Sequence, residues 1–302
     1  MKLNNTEGPI QLLRQPLKLS FLIRAGLYTV LLAFMLSCGP KEKGFEDIRA
    51  EGLAFVGSGE DQKALERLIE ALLLSPADRQ TLYFLGIVYG NLGEVDSSVS
   101  YLRKVVKLYG PDLETCRNLY TVAIAAERWE DALESLRQLE QAGASRSGLL
   151  DRYYEAYMGA HYYAPAADIL DTLIQKNPER GELYLRSANV NGLLGNYAKG
   201  AMAAQEALRR FGPSVEAYGN LGVLYTRQKN IIKAELFFRK ALALDSARDA
   251  SWLNLGNLLS TKSDAASKRE AIDVLGRLNP LLSHQLRLDT VLARLRAELG
   301  NN

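Results

Sequence analysis

The sequence predicts an all-α solenoid of about seven helix-turn-helix repeats, each 34 residues long. One stretch shows the pattern most clearly, with aromatic, small and apolar markers at Tyr218, Leu221, Gly222, Tyr225, Ala234, Phe238 and Ala241. Steps of 34 residues from Gly222 reach Gly52, Gly86, Tyr120, Tyr154, Ala188 and Gly256, and equal steps from Ala234 reach Ala64, Ser98, Ala132, Ala166 and Gly200. The period needs no insertion or deletion, which chance does not produce over so long a stretch.

The marker columns have a physical reason. Tyr218, Leu221 and Tyr225 recur at spacings of three and four, which places them on one helical stripe. Two antiparallel helices approach closely only where small side chains such as Gly222 and Ala234 face each other. Neither helix can bury its stripe alone, so neighbouring repeats are expected to stack around a continuous core.

Seven repeats are predicted over residues 45–282, followed by a capping helix and tail over 283–302. The repeats begin at Phe45, Arg79, Leu113, Ser147, Gly181, Val215 and Asp249. Repeats three and four carry Tyr120 and Tyr154 where a small residue is expected, which predicts wider helix spacing there. Repeat seven has Lys268 in its small-residue column. After it, an amphipathic stripe predicts a helix that closes the stack, with Leu288, Val291, Leu292, Leu295 and Leu299 on one face.

Composition excludes several classes of function. With 47% hydrophobic and 24% charged residues, the chain is ordinary for a globular protein. The net charge of +2 is largely carried by the first 37 residues, so no basic footprint for nucleic acid remains. His161 and His284 are the only histidines, and neither has a metal-ligand partner at helical spacing. We therefore expect no enzyme, no cofactor and no metal site.

The order of markers resembles the tetratricopeptide repeat, and the resemblance covers most of the chain. It implies a right-handed superhelical solenoid whose first helices line a concave groove for extended peptide segments. The positions that contact ligand in that family correspond here to Arg117, Asn118, Asp151, Arg152, Glu155, Arg186, Asn189, Asn220, Arg227, Asn254 and Asn257.

Asn189 and Asn220 stand where groove asparagines of that family hold a peptide backbone. An amide suits this role because it both donates and accepts a hydrogen bond. Leu185 and Ala250 stand where the chaperone-binding clamp has lysine, which argues against recognition of an acidic terminal carboxylate. Arg117, Arg152 and Arg186 suggest some preference for acidic partners. The alternative is that these polar residues are only solvated surface.

The N-terminal residues predict export and a lipid anchor. A basic leader, an apolar run over residues 25–36 and a small residue are typical of a signal peptide over 1–37. Ser37-Cys38 resembles the lipobox of bacterial lipoproteins, in which the cysteine is acylated, and residues 38–44 would form a tether. Gly39 is not the aspartate associated with inner-membrane retention, so the outer membrane, facing the periplasm, is the expected location. A cleaved but unlipidated chain, an uncleaved anchor and a cytoplasmic chain are the alternatives.

Two functions are consistent with the sequence. The first is a protein-protein interaction scaffold of the cell envelope that supports assembly, secretion or pilus machinery, with envelope proteins or extended peptide segments as partners. The second is a periplasmic solute or peptide receptor that works with a transporter. Only one feature favours the receptor, the tyrosine cluster of repeats three and four, which includes Tyr153, Tyr154, Tyr157, Tyr162 and Tyr163. Cys116 is expected to be a buried small hydrophobic residue.

Overall fold

The computed structural model describes residues 43–278 and 288–300, and these residues form 15 helices and no strands. The first helices of the successive pairs are α1 Phe45–Ser58, α3 Arg79–Asn91, α5 Leu113–Ala125, α7 Arg146–Gly159, α9 Gly181–Leu193, α11 Val215–Arg227 and α13 Asp249–Ser260. The second helices are α2 Asp61–Leu74, α4 Val95–Tyr109, α6 Trp129–Gln141, α8 Tyr163–Lys176, α10 Tyr197–Phe211, α12 Ile231–Leu244 and α14 Ala265–Gly276. A final helix, α15, spans Leu288–Gly300. The predicted all-α architecture of paired helices is confirmed.

The helices fall into two compact units, one ending at Pro76 and the other beginning at Ala77. In the first unit α1 and α2 pack together around Gly52 and Leu68. In the second, each helix from α3 to α14 packs against the next one along the chain. Sequential packing of this kind is what a stack of helix pairs requires, because each repeat buries its apolar stripe only against its neighbours.

Local chemistry explains where several helices begin and end. The side chains of Asp78, Asp112 and Ser214 accept hydrogen bonds from backbone N–H groups in the first turns of α3, α5 and α11. Gly110 and Gly212 end α4 and α10 with φ values of 83° and 86°, a conformation that favours glycine. Gly110-Pro111 and Gly212-Pro213 therefore mark helix ends.

Small residues allow the two helices of a repeat to approach closely. A side chain added at Gly86 would overlap Leu102, and one added at Gly222 would overlap the ring of Phe238. Ser98, in the other small-residue column, is fully buried, and its hydroxyl donates to the carbonyl of Gly86 at 2.6 Å. The sequence columns thus correspond to contact points between helix axes.

Repeat four departs from this close approach. Its helices, α7 and α8, pack least closely of the seven pairs, in line with the tyrosine that occupies the small-residue column. Tyr153 is fully buried and its ring stacks on Tyr157 at 5.8 Å between centroids. The tyrosine cluster of this region is therefore largely a packing element.

The C-terminal helix covers one face of the last pair. Leu288, Leu292 and Leu295 of α15 are buried, and α15 packs on α14. The Lys268 ammonium, in the small-residue column of α14, pairs with Glu298 of α15 at 2.9 Å. A charged residue is accommodated there because α15 supplies its partner. Residues 283–287 and 301–302 of the predicted capping segment lie outside the described residues.

The N-terminal features that the sequence predicts, including the signal peptide, Cys38 and most of the tether, also lie outside the described residues. Among the residues that are described, no helix is long and apolar enough to cross a membrane. Cys116 is fully buried, and burial raises its pKa to about 11, so the thiol stays protonated near neutral pH. This agrees with its interpretation as a small hydrophobic residue.

Substitution of Gly222 by valine tests the close approach of α11 and α12. We expect the change to lower the free energy of unfolding by about 1–3 kcal/mol, because the new side chain would overlap Phe238. Gly219 is the control, since nothing lies within 4 Å of a Cβ added there. Gly219→Ala should be neutral or stabilise by up to about 1 kcal/mol. Urea unfolding followed by circular dichroism measures both, and a Gly222→Val variant as stable as the parent would contradict the packing argument.

Candidate functional site

The candidate site is a groove along three first helices, α9, α11 and α13. These helices pack against one another from repeat to repeat, whereas the second helices of neighbouring repeats make fewer contacts. The first helices therefore lie on the inner side of this part of the stack. Three clefts of about 240, 420 and 480 Å³ follow one another along the groove.

The first cleft lies between α9 and α11. Asn189 and Asn220 border it with their amides, and Leu193 and Val223 add exposed apolar side chains. Arg227 brings a positive charge to one end. An extended chain placed here would meet hydrogen-bonding groups for its backbone and apolar contact for a side chain.

The second cleft continues from α9 across α11 to α13. Asn189 and Asn220 line it again, now with Arg186 and Asn254. At its rim, an Arg248 guanidinium nitrogen lies 2.6 Å from a carboxylate oxygen of Glu216. A hydrogen bond from its own backbone N–H at the start of α11, and then Arg248, lower the pKa of Glu216, so its side chain remains charged at neutral pH.

The third cleft lies between α11 and α13. Asn254 and Asn257 line one side, Arg227 and Thr226 the other, and Phe238 of α12 contributes an apolar surface. Asn254 belongs to the second and third clefts, as Asn220 belongs to the first and second. The three clefts therefore share their polar residues and form one groove.

The structure brings together six of the eleven residues predicted to line the site: Arg186, Asn189, Asn220, Arg227, Asn254 and Asn257. The other five lie on α5 and α7 and do not border these clefts: Arg117, Asn118, Asp151, Arg152 and Glu155. Three of these five, Asn118, Arg152 and Glu155, instead contact tyrosines of the preceding repeat.

Asn118 is held by an aromatic residue of repeat two. Its amide nitrogen donates to the hydroxyl of Tyr83 at 2.7 Å, and that hydroxyl donates to Glu114 at 2.7 Å. Burial, followed by the hydrogen bond to Glu114, raises the pKa of Tyr83 and keeps the phenol protonated. Asn118 is thus part of a hydrogen-bonded bridge between α3 and α5.

Tyr120 forms an equivalent bridge between α5 and α7. Its hydroxyl donates to Glu155 at 3.1 Å, and the guanidinium of Arg152 lies 5.5 Å from the ring centroid. The ring itself is only 9% exposed. Burial raises the pKa of Tyr120, so the phenol remains a donor. Glu155 and Arg152 therefore have fixed positions on the inner surface of repeat four.

Arg186 connects the tyrosine bridges to the groove. Its guanidinium lies 5.2 Å from the ring centroid of Tyr154 and 3.8 Å from a carboxylate oxygen of Asp151. The same side chain lines the second cleft. Arg152 and Arg186 occupy the same position in successive repeats, and each covers the tyrosine of the repeat before it.

The apolar members of the groove were not predicted from the sequence. Val223 stands 34 residues from both Asn189 and Asn257, and Leu193 stands 34 residues before Arg227. The signal was present, because these residues occupy the same columns as the predicted polar ones. They were not predicted because only the polar side chains in these columns were taken as site residues. In the described part of the chain, no cluster of three or more His, Cys, Asp or Glu residues could hold a metal ion.

Comparison with protein families identifies the repeat. Residues 80–111 and 194–251 each match a family model described as tetratricopeptide repeat. The second segment covers α10, α11 and α12 and the first residues of α13. A comparison with curated proteins found no sequence match.

Three solved structures align with this chain. A chain of Naa15/Naa10 bound to HypK-THB aligns with a TM-score of 0.62 and 14% identity over 84% of this chain and 38% of that one. YrrB, a TPR protein with an unusual peptide-binding site, aligns with a TM-score of 0.46 and 15% identity over 62% of this chain and 97% of its own. PilW, a type IV pilus biogenesis factor, aligns with a TM-score of 0.42 and 10% identity over 70% of this chain and 98% of its own. At 14% identity, the alignment with the Naa15/Naa10 chain shows the fold alone: an all-α solenoid of the tetratricopeptide-repeat type.

Two substitutions of Tyr120 test whether this tyrosine positions the inner surface of repeats three and four. Tyr120→Phe keeps the buried ring and loses the bond to Glu155, so we expect a loss of about 1 kcal/mol in unfolding free energy. Tyr120→Ala also leaves a cavity and should cost about 3–5 kcal/mol. Chemical unfolding of the two variants beside the parent measures both values. Equal stability of all three proteins would show that Tyr120 is not a structural bridge.

Proposed function

We propose that this protein is a lipid-anchored scaffold of the bacterial cell envelope that grips extended protein segments in the groove of α9, α11 and α13. The partners would be other proteins of an envelope assembly, secretion or pilus machine. The proposal rests chiefly on one observation, the row of amide side chains that borders three connected clefts. Asn189, Asn220 and Asn254 provide this row on three successive first helices.

The amides suit a backbone ligand. Each carries both a donor and an acceptor, so it can pair with a peptide group whatever the side chain of that residue. Because consecutive asparagines lie on consecutive repeats, a segment must be extended to reach more than one of them. Leu193 and Val223 lie between them as apolar contacts for alternate side chains of the bound segment.

The charges around the groove favour an acidic segment. Arg186, Arg227 and Arg248 line the clefts, and Glu216 pairs with Arg248. An excess of positive charge would attract carboxylates and add charge-assisted hydrogen bonds. Leu185 and Ala250 border the second cleft without supplying a lysine. We therefore propose recognition along the backbone rather than capture of a terminal carboxylate.

The fold supports a binding role. Tetratricopeptide repeats provide a rigid frame whose surface residues can vary while the core stays constant. The alternative, a receptor for a small solute, rested on the tyrosine cluster of repeats three and four. Tyr153 of that cluster is buried, and Tyr154 is covered by Arg186. The clefts of the groove are also open to solvent, which suits an extended segment better than a small solute.

A photo-crosslinking residue at position 220 tests the groove in living bacterial cells. We expect a discrete protein adduct from this position, because Asn220 borders two clefts. The control is position 100 on α4, where Ser100 is exposed. Asn189→Ala should reduce the adduct several-fold through the loss of a neighbouring amide, whereas Asn196→Ala outside the groove should not. Adducts of equal yield at 100 and 220, or none at either, would argue against the groove.

Substitution of Cys38 tests the lipid anchor separately. If Cys38 is acylated, Cys38→Ala should abolish incorporation of a labelled fatty acid and release the protein from membranes washed with high salt, which also removes electrostatic surface contacts. The groove should still bind its partner in vitro, because it is far along the chain from Cys38. Acyl labelling and membrane association that both survive the substitution would rule out this anchor.

A further inference from the structure

The outer surface of repeats five and six differs from that of the other repeats at one position. Steps of 34 residues along the second helices reach Ser100, Glu134, Asp168, Met202, Leu236 and Glu270. The position is polar in four of these six repeats, as expected for a solvated helix face. Met202 and Leu236 replace the polar residue in two consecutive repeats.

These apolar side chains protrude from the protein. Met202 is 69% exposed, Leu236 is 49% exposed, and Ile232, one helical turn before Leu236, is 84% exposed. Leu244 adds a further exposed side chain at the end of α12. We call Met202, Ile232, Leu236 and Leu244 the outer patch. Single exposed leucines are common, but a cluster at helical spacing marks an interaction surface.

Two lysines lie within the same exposed face of α12. The Lys233 ammonium lies 5.1 Å from the ring centroid of Tyr225, and the Lys240 ammonium lies 5.5 Å from that of Phe237. In the described chain neither ammonium forms an ion pair. The Phe237 ring stacks on Tyr225 at 5.6 Å and lies 6.1 Å from Tyr218. The lysines are therefore held over aromatic rings, with their charges available to an anion.

The carboxylates within α10 and α12 are already neutralised. Glu206 of α10 pairs with Arg209 and Arg210, whose hydrogen bonds lower its pKa to about 2. On α12, Glu235 pairs with Arg239 and Lys262. Each of these carboxylates thus has two cationic partners.

The balance of charge on the two helices is basic. α10 and α12 each contain three basic residues and one acidic residue, whereas α6 contains four acidic residues and one basic residue. A second copy of this chain placed face to face on the outer patch would bring like charges together, which disfavours self-association there. The surface therefore favours an anionic binding partner into which protruding apolar side chains can insert.

We propose that the outer patch binds the surface of a bilayer that contains anionic phospholipid. Met202, Ile232 and Leu236 enter the boundary between headgroups and acyl chains, and Lys233 and Lys240 face lipid phosphates. Protruding apolar side chains with adjacent lysines are the combination that holds a helix in the membrane interface. The proposal does not depend on the groove or on Cys38, although a lipid anchor would raise the local concentration of the patch at the membrane.

A depth-sensitive fluorophore tests the proposal on the full chain. The label is attached at Ile232→Cys in a Cys38→Ser background, where Cys116 remains unreactive because it is buried and its pKa is raised to about 11. Ser100→Cys on α4 carries the control label. Vesicles of phosphatidylcholine and phosphatidylglycerol with nitroxide-labelled acyl chains should quench the label at 232 and leave the label at 100 unquenched. Vesicles of phosphatidylcholine alone should quench neither.

The design separates the patch from the N-terminal apolar run, which could hold the chain on vesicles but would not place position 232 in the bilayer. Lys233→Glu/Lys240→Glu should raise the concentration of anionic vesicles that half-quenches the label at 232 about tenfold or more. Met202→Ser/Leu236→Ser should also raise it. Lys107→Glu/Leu108→Ser, which changes an exposed pair on α4, is the matched control and should have no effect.

Three results would overturn the proposal. They are equal quenching at 232 and 100, no quenching at 232 by anionic vesicles, and quenching at 232 that neither patch variant changes. A photo-crosslink from 232 to a protein in cells, together with absence of vesicle quenching, would assign the face to an acidic protein partner instead. Melting curves followed by circular dichroism establish that each variant is folded, as expected for substitutions at exposed positions.

Discussion

Close contact between the two helices of a repeat is the constraint on which the rest of this structure depends. At Gly222 the backbone of α11 lies against the ring of Phe238, and at Gly86 the backbone of α3 lies against Leu102. These contacts fix the separation of the helices and hence the direction in which the next pair starts. The position of every groove residue depends on these contacts, because α9, α11 and α13 are each positioned by the helix pair to which they belong.

Contacts between successive repeats then set the details of the inner surface. Tyr120 reaches Glu155, Arg186 covers Tyr154, and Arg248 pairs with Glu216. Each pair joins residues about one repeat apart in the sequence. The exposed ion pairs, such as Arg248 with Glu216, individually contribute little stability. Their effect is on orientation, since they restrict long side chains that would otherwise sample many rotamers.

The sequence predicted the fold well and the site in part, for a physical reason. Helix positions follow from a period without gaps, so Gly222 and Ala234 were enough to locate the helix pairs. Asn189 and Asn220 were found because their columns are defined by the same period. Glu155 and Asn118 were assigned to the groove although they bond to tyrosines, because those bonds depend on side-chain rotamers in the neighbouring repeat. The outer patch was not predicted because only polar columns were considered as sites, and Met202 and Ile232 are apolar.

The ion pair between Lys268 and Glu298 helps to hold α15 over the last described helix pair. In the other repeats, a small residue at the equivalent position admits the close approach of a partner helix, whereas Lys268 extends a charge that α15 neutralises. Leu288, Leu292 and Leu295 are buried where α15 packs on α14. Among the described residues, this face of α14 is therefore not available to a helix pair of another molecule. Covering the face in this way removes one surface on which a self-stacking architecture could extend into a fibre.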